Sequence, residues 1–128
     1  MDPKKSVLLV GIDPAVIDFS SAEFAPYNLS ADLVMSTLVA ENGRLRDLGY
    51  DAELCLTDFG ATAERVVQDA LKAKAYDCVA IGAGIRVSPR SFLLFEKLIN
   101  VVHANAPQAK LCFNTRPGDT AEAVLRWI

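Results

Sequence analysis

Residues 77–91 carry the residue types best suited to binding chemistry in this chain. An apolar run ends at Gly82 and Gly84, and Arg86 and Ser88 follow within four residues. Glycines let the backbone turn sharply and come close to a ligand, because they lack a Cβ atom. Ser88 precedes a proline, a pair that favours the start of a helix, where free N–H groups attract anions. We expect this segment to bind a phosphate or a carboxylate, with Arg86 as its anchor.

Polar residues after other predicted strands could complete this site. Asp13 follows the first strand and could orient a ligand as a hydrogen-bond acceptor, and Asp58 follows the second. Asn114 and Arg116 follow the fourth strand. Because the carboxyl ends of parallel strands meet at one edge of a sheet, these side chains should lie near one another. The predicted ligand-binding residues are Asp13, Gly82, Gly84, Arg86, Ser88, Asn114 and Arg116.

Simpler interpretations of the same residues remain open. The glycines could serve only the strand-to-helix turn, and the segment lacks the third glycine of the dinucleotide-binding fingerprint. Asp13 could instead act as a general acid or base beneath the aromatic residues of the 14–29 segment. No partner base or nucleophile can be named, so the sequence leaves enzymatic activity undecided. That segment could be a lid, or its aromatic residues could pack at the edge of the core.

The alternation of strands and helices predicts the fold class. Apolar runs predict strands at residues 5–12, 50–57, 77–81 and 110–114. Helical patterns begin after Ser30, cover residues 62–75 and 88–105, and begin again at Asp119. Asp119 and Glu122 resemble a capping box at the start of this last helix. The inward stripe of the 88–105 helix is predicted to comprise Phe92, Phe95, Leu98, Ile99 and Val102. Asn42-Gly43 marks either a kink or a break in the first helix.

This order predicts a single α/β domain over residues 1–128, a three-layer αβα sandwich on a four-stranded parallel sheet. The second strand alternates polar and apolar residues, as an edge strand does, which favours the strand order 2-1-3-4. In such a sheet, ligands bind where the order reverses, between strands 1 and 3. The loops after Ile12 and Ile81 should therefore flank the pocket.

This layout resembles the flavodoxin-like and receiver-domain fold group, which is Rossmann-like, without the fifth strand and helix. A receiver domain would end its third strand on an aspartate, whereas this one ends on Gly82-Ala83-Gly84. Asp13-Pro14-Ala15-Val16 does not resemble the hydroxyl-rich phosphate loop of a flavodoxin. The resemblance thus implies the fold but neither phosphotransfer nor flavin binding, and the cofactor stays unknown. Residues 82–86 together with 113–117 also resemble short bacterial proteins of unassigned function.

Composition limits the partners that we expect. The chain has 128 residues, 52% of them hydrophobic, and a net charge of −3. Without a basic cluster, nucleic acid is not an expected partner. The apolar run after Lys5 is only about six residues long, too short for a signal peptide or a membrane span. We expect a cytoplasmic protein without a membrane partner.

The remaining reactive residue types are expected to be structural. The three cysteines, Cys55, Cys78 and Cys112, lie within predicted strands and match no zinc-binding spacing, so we interpret them as small core residues. His103 is expected to be a surface or packing residue. The apolar C-terminal residues Trp127 and Ile128 raise an alternative function, that of an interaction protein forming a homodimer.

Overall fold

The computed structural model describes residues 4–22 and 24–128, so Met1, Asp2, Pro3 and Glu23 lie outside the described residues. Its centre is a four-stranded parallel sheet in the order β2-β1-β3-β4. This confirms the predicted fold class and strand order, and is consistent with a flavodoxin-like fold. The strands are β1 (Ser6–Ile12), β2 (Asp51–Thr57), β3 (Cys78–Ile81) and β4 (Lys110–Phe113).

Within the described residues, five helices flank the sheet: α1 (Ala31–Asp47), α2 (Ala63–Ala73), α3 (Ala83–Arg86), α4 (Phe92–Asn105) and α5 (Thr120–Leu125). The hydroxyl of Ser30 accepts a hydrogen bond from Leu33 N and caps α1, as the sequence predicts. Helix α1 continues through Asn42-Gly43 without a break. Short 3₁₀ turns cover Pro14–Val16, Ala25–Tyr27, Pro89–Ser91 and Pro117–Asp119.

The sheet separates two apolar cores. On one face, Leu8, Val10 and Ile81 pack with residues of α2, α3 and α4. On the other face, Val7 and Leu9 pack with residues of α1 and α5. Because successive side chains of a strand point to opposite faces, an unbroken apolar run is what a strand covered on both sides requires. All three cysteines are buried and His103 is exposed, in agreement with the structural roles predicted for them.

Arginines cover backbone carbonyls on the two outer strands. Arg46 Nε donates to the Ala52 carbonyl of β2 at 2.9 Å, and Arg126 Nη2 donates to the Phe113 carbonyl of β4 at 2.8 Å. Unpaired carbonyls at a sheet edge invite pairing with another chain, and charged side chains placed there oppose it. Both edges of this sheet are therefore partly protected.

The segment after β3 differs from the sequence prediction. A single helix was expected from Ser88, but α3 and a 3₁₀ turn come first, and α4 begins only at Phe92. Phe92 was assigned to the inward stripe, yet 58% of it is exposed, while Leu94 is buried. The buried residues of α4 are Leu94, Leu98, Val101 and Val102, so its inward face is rotated from the predicted stripe.

The expected capping box of the last helix is also wrong. Asp119 precedes α5 without capping it, because its carboxylate accepts hydrogen bonds from the backbone N–H groups of Thr115 and Arg116. The cap comes from α1, where the buried Glu41 accepts a 3.0 Å hydrogen bond from Ala121 N. Across the described part of the chain, no helix has the length and apolar character that crossing a bilayer requires.

Candidate functional site

The crevice between the carboxyl ends of β1 and β3 is closed by a very close backbone approach. Gly82 N donates to the Val10 carbonyl at 2.8 Å. A Cβ atom at Gly82 would lie 3.3 Å from that same carbonyl oxygen and 3.7 Å from Gly11 Cα. A side chain would thus press on the backbone of the central strand. The glycine is required here by space, which is one of the two roles that the sequence suggested.

A small cavity lies over this point, on the side of the sheet that faces α1 and α5. Its volume is about 30 Å³, and its floor includes Gly11, Ala80 and Gly82. Asn114 and Thr120 contribute its polar groups. Its apolar walls are formed by four leucines, Leu9, Leu38, Leu54 and Leu56. A space of this size holds about one water molecule. The floor of the crevice is therefore too small for an organic ligand.

Asn114 joins the loops that follow β3 and β4. Its side-chain oxygen accepts a hydrogen bond from Ala83 N at 2.8 Å, and its amide nitrogen donates to Thr120 Oγ1 at 2.9 Å. The residue is only 4% exposed. Both ends of the amide take part in hydrogen bonds to the protein, so Asn114 positions the backbone of the site.

Arg86 ends α3, and its side chain lies over the end of β4. Its Nε donates to the Ile81 carbonyl at 3.3 Å, and its guanidinium carbon lies 5.3 Å from the centre of the Phe113 ring. Phe113 in turn makes an edge-to-face contact with Phe95 of α4 at 5.9 Å. The guanidinium is thus held in one orientation by a carbonyl and an aromatic face.

The charge of Arg86 is only partly compensated. Its Nη2 is buried and has no hydrogen-bond partner within the described residues. Burial lowers the pKa of the guanidinium, and the negative charge of Asp119 opposes that effect from a distance. An arginine keeps its proton in proteins, so a partly desolvated cation with a free donor remains at this position.

Two buried hydroxyl groups belong to the same segment. Ser88 is 2% exposed and Ser91 is 1% exposed, and neither Oγ has a hydrogen-bond partner within the described residues. Ser88 was predicted to cap a helix, but it precedes a 3₁₀ turn and its side chain makes no capping bond. Buried polar groups without partners are rare in folded proteins and often mark a bound water or ligand.

Arg116 and Asp119 form the outer side of this region. The side chain of Arg116 is 71% exposed, and its Nη1 lies 3.8 Å from a carboxylate oxygen of Asp119. The same carboxylate accepts hydrogen bonds from Thr115 N and Thr115 Oγ1. Asp119 therefore stabilises the loop after β4 and lies within electrostatic range of both Arg116 and Arg86.

Asp13 makes its contacts on the opposite side of the crevice from Arg86. Its carboxylate accepts a 2.9 Å hydrogen bond from Ala15 N, and its backbone N–H donates to the Thr57 carbonyl at the end of β2. The predicted meeting of Asp13 and Arg86 thus has no described contact to support it. Arg116 is instead the ion-pair partner of Asp119, whose charge also acts on Arg86.

The aromatic residues of the 14–29 segment do not share one environment. Phe19 and Phe24 make an edge-to-face contact at 5.8 Å and are half-buried, whereas Tyr27 is 69% exposed. Ile17 reaches the core that α2 and α4 cover. The segment is thus attached to the domain at Ile17, and Tyr27 is directed away from it.

The backbone donors of α3 are engaged in the turn itself. Ile85 N donates to the Gly82 carbonyl and Val87 N to the Ala83 carbonyl. A Cβ atom added to Gly84 would lie 4.0 Å from Ile12 Cγ1. This is an ordinary van der Waals contact, so the position does not require glycine. The N–H groups expected to anchor an anion after Gly84 are thus occupied at Ile85 and Val87.

A larger cavity lies elsewhere, beside β2 on the side covered by α2. It measures about 500 Å³ and is lined mainly by apolar residues, among them Leu8, Val66 and Ala70. At its rim, Tyr76 Oη donates to Glu53 at 2.8 Å and Lys74 pairs with Glu53 and Asp51. These polar groups satisfy one another. No motif in the sequence marks this cavity, because it results from α2 leaving part of the edge strand uncovered.

Within residues 4–22 and 24–128, no cluster of three or more His, Cys, Asp or Glu side chains is arranged to hold a metal ion. Comparison of the chain with family models, with curated proteins and with solved structures found no match. Inferences about function therefore depend on the geometry of the site.

Proposed function

We propose that this protein is a binding module for a small anionic ligand, a phosphate or a carboxylate, held by Arg86 at the carboxyl edge of the sheet. The observation that carries the proposal is the buried Nη2 of Arg86, which lacks a hydrogen-bond partner in the described structure. A buried donor on a charged group costs free energy unless it is paired. An anion would supply that pairing through a charge-assisted hydrogen bond.

The surroundings of Arg86 support this function in two ways. The Ile81 carbonyl and the Phe113 ring orient the guanidinium before any ligand arrives, which reduces the entropy lost on binding. The buried hydroxyls of Ser88 and Ser91 provide further unpaired polar groups in the same segment. Arg116 adds an exposed positive charge to this region, while the negative charge of Asp119 reduces the net positive charge and disfavours highly charged anions.

The roles of the predicted site residues change accordingly. Gly82 and Asn114 shape the turn, and Arg86 is the ligand anchor, with Ser88 and Arg116 as secondary contacts. Gly84 and Asp13 make no contact that singles them out for the ligand. The sequence-based idea of Asp13 as a general acid or base has no supporting contact to a second catalytic group.

The test compares ligand-induced stabilisation in two matched variants. Native mass spectrometry of freshly purified protein detects a co-purified ligand, and thermal unfolding with inorganic phosphate, nucleoside monophosphates and dicarboxylates measures added stability. Arg86→Gln removes the anchor charge. Arg44→Gln is the control, because Arg44 is also half-exposed but belongs to an ion pair with Glu122 on α5.

We expect at least one anion to raise the melting temperature of the wild-type protein and of Arg44→Gln by the same amount. The shift should disappear in Arg86→Gln while its circular dichroism spectrum stays unchanged. An equal shift in Arg86→Gln would place the ligand elsewhere. The absence of a shift with every anion, together with a mass spectrum free of adducts, would refute the proposal.

Self-association is the second candidate function, and the exposure of the C-terminal aromatic residue favours it. Trp127 is 56% exposed and Leu125 is 43% exposed, although the neighbouring Ile128 packs against the core. Since arginines cover carbonyls on both edge strands, a homodimer would form through helix surfaces. Trp127→Ser should then convert a dimer to a monomer in native mass spectrometry. A monomeric wild-type protein would exclude this function.

A further inference from the structure

Two of the three cysteines lie side by side in the core. The Sγ atoms of Cys78 in β3 and Cys112 in β4 are 3.4 Å apart, and both residues are 0% exposed. They occupy diagonal positions of adjacent parallel strands, because Cys78 is opposite Lys110 and Cys112 is opposite Ala80. Both side chains point to the face covered by α1 and α5. Diagonal positions separate the Cα atoms by about 7–8 Å, so bond formation requires the edge strand β4 to shift as well as the side chains to rotate.

The third cysteine is placed differently and acts as an internal reference. Cys55 of β2 belongs to the core on the opposite face of the sheet, with α2 and α4. Burial raises the pKa of its thiol to about 11, so it holds its proton at neutral pH. The sheet separates Cys55 from the other two cysteines, which makes Cys78 and Cys112 the only intramolecular pair that the native fold brings together.

The pair is also chemically asymmetric. The two sulfurs share a contact in which either one can be the donor, and this contact, with a contribution from Arg126, lowers the pKa of Cys112. The same contact and burial raise the pKa of Cys78. The thiolate is the form that attacks an oxidant or a disulfide. Cys112 is thus the attacking sulfur and Cys78 the resolving one.

Helix α5 covers the pair. It has six residues and contributes Ala121, Ala123 and Val124 to the core around the two thiols. Proteins open locally in small cooperative units, and a single short helix is a unit of that kind. Transient opening of α5 would admit a small oxidant, although the thiols are fully buried in the closed form.

The geometry points to Cys78 and Cys112 as a reversible disulfide site that cross-links β3 to β4. With hydrogen peroxide as the oxidant, the Cys112 thiolate attacks one oxygen and becomes a sulfenic acid, and hydroxide leaves. The hydroxide takes up a proton and becomes the first water. The Cys78 sulfur then attacks the sulfenic sulfur, and the sulfenic hydroxyl group leaves as the second water while the S–S bond forms. Two thiols lose two hydrogens, and peroxide is reduced to two water molecules. A dithiol reductant reverses the reaction by thiol–disulfide exchange.

The site has a structural consequence for the crevice. Cys112 lies two residues before Asn114, whose side chain holds Ala83 N after β3. A covalent link at this position would fix β3 against β4 next to the residues that shape the turn. The link also closes a loop between two positions separated by 34 residues, which restricts the unfolded chain.

The experiment counts free thiols in the full-length protein. Reduced native protein is treated with hydrogen peroxide, then denatured and labelled with a maleimide, and intact masses and linked peptides are measured. The wild-type chain should go from three labels to one, since two of its three cysteines are consumed. Cys55→Ala should go from two labels to none, and Cys112→Ala should keep both. Cys78→Ala should keep the label on Cys55, gain one oxygen at Cys112 and form no linked peptide. Dithiothreitol should restore every label.

The same samples show whether the link fits the native fold. Oxidised wild-type protein should melt at a higher temperature than reduced protein, and oxidised Cys55→Ala should show the same gain. Unchanged labelling after peroxide, a linked peptide containing Cys55, or cross-linked dimers would each overturn the inference. A lower melting temperature in the linked form would also overturn it. Peptide mapping of the wild-type chain decides the pairing even where an alanine variant fails to fold.

Discussion

The side-chain oxygen of Asn114 accepts a 2.8 Å hydrogen bond from the backbone N–H of Ala83, so the loop after β4 holds the first residue of α3. The same amide donates to Thr120 Oγ1, which itself donates to the Pro117 carbonyl at 2.7 Å. One buried side chain thus connects α3, the 3₁₀ turn after β4 and the start of α5. The position of Arg86, at the end of α3, depends on this connection.

Replacing Asn114 with alanine should destabilise the protein by about 1–3 kcal/mol, because a buried backbone donor and a buried hydroxyl lose their partner. Urea unfolding followed by circular dichroism measures this as a lower midpoint at unchanged slope. Asn100→Ala is the control, since Asn100 is exposed and bonds only within α4. If both variants unfold at the same urea concentration, Asn114 does not hold the site together.

Gly82 and Gly84 should respond in opposite directions to the same substitution. Gly82→Ala places a Cβ atom 3.3 Å from the Val10 carbonyl in the central strand, which cannot move aside, and should cost about 1–3 kcal/mol. Gly84→Ala meets only ordinary contact and lies in α3, so it should be neutral or add up to about 1 kcal/mol. Thermal unfolding of both variants compares them. A stable Gly82→Ala protein would show that this backbone approach is not constrained.

Much of the fold could be predicted because it depends on patterns local in sequence. Unbroken apolar runs identify β1 and β3 as central strands, and the alternation in residues 51–57 identifies an edge strand, which together define the sheet order. Gly82 and Asn114 were identified because they follow strands, and parallel strands end at the same edge. These inferences need only the direction of each strand.

Other features depend on side-chain direction and could not be predicted. Arg86 was identified as an anion anchor, but its contact with Phe113 depends on α3, a helical turn that the sequence did not predict. Cys78 and Cys112 were each interpreted as core residues, and only the register of β3 with β4 brings their sulfurs together. Glu41 of α1 accepts a hydrogen bond from Ala121 N, 80 residues later in the chain, and no local sequence pattern connects the two residues.

Glu41 should contribute to stability as the cap of α5. Glu41→Ala removes the acceptor of a buried hydrogen bond and should cost about 1–3 kcal/mol, whereas Glu41→Gln keeps an oxygen in place and should cost less. Glu122→Ala is the matched control, because this exposed carboxylate only pairs with Arg44 and should change stability by about 0–1 kcal/mol. Denaturant midpoints rank the three variants. Equal losses for Glu41→Ala and Glu122→Ala would remove the capping role.

Asp119 should make the stability of the protein depend on pH in the acidic range. Burial favours the protonated form of its carboxyl group, but hydrogen bonds from Thr115 and Arg116 outweigh this and lower its pKa below 3.8. Because the pKa in the folded state is lower than in the unfolded state, the stabilisation is present above the unfolded value of about 3.9 and is lost as the pH falls through the folded value. Asp119→Asn should therefore be less stable than wild type at pH 7, and the difference should shrink at low pH. Urea unfolding of both proteins from neutral to acidic pH measures this, and a gap that stays constant with pH would mean that the ionised carboxylate of Asp119 does not stabilise the loop.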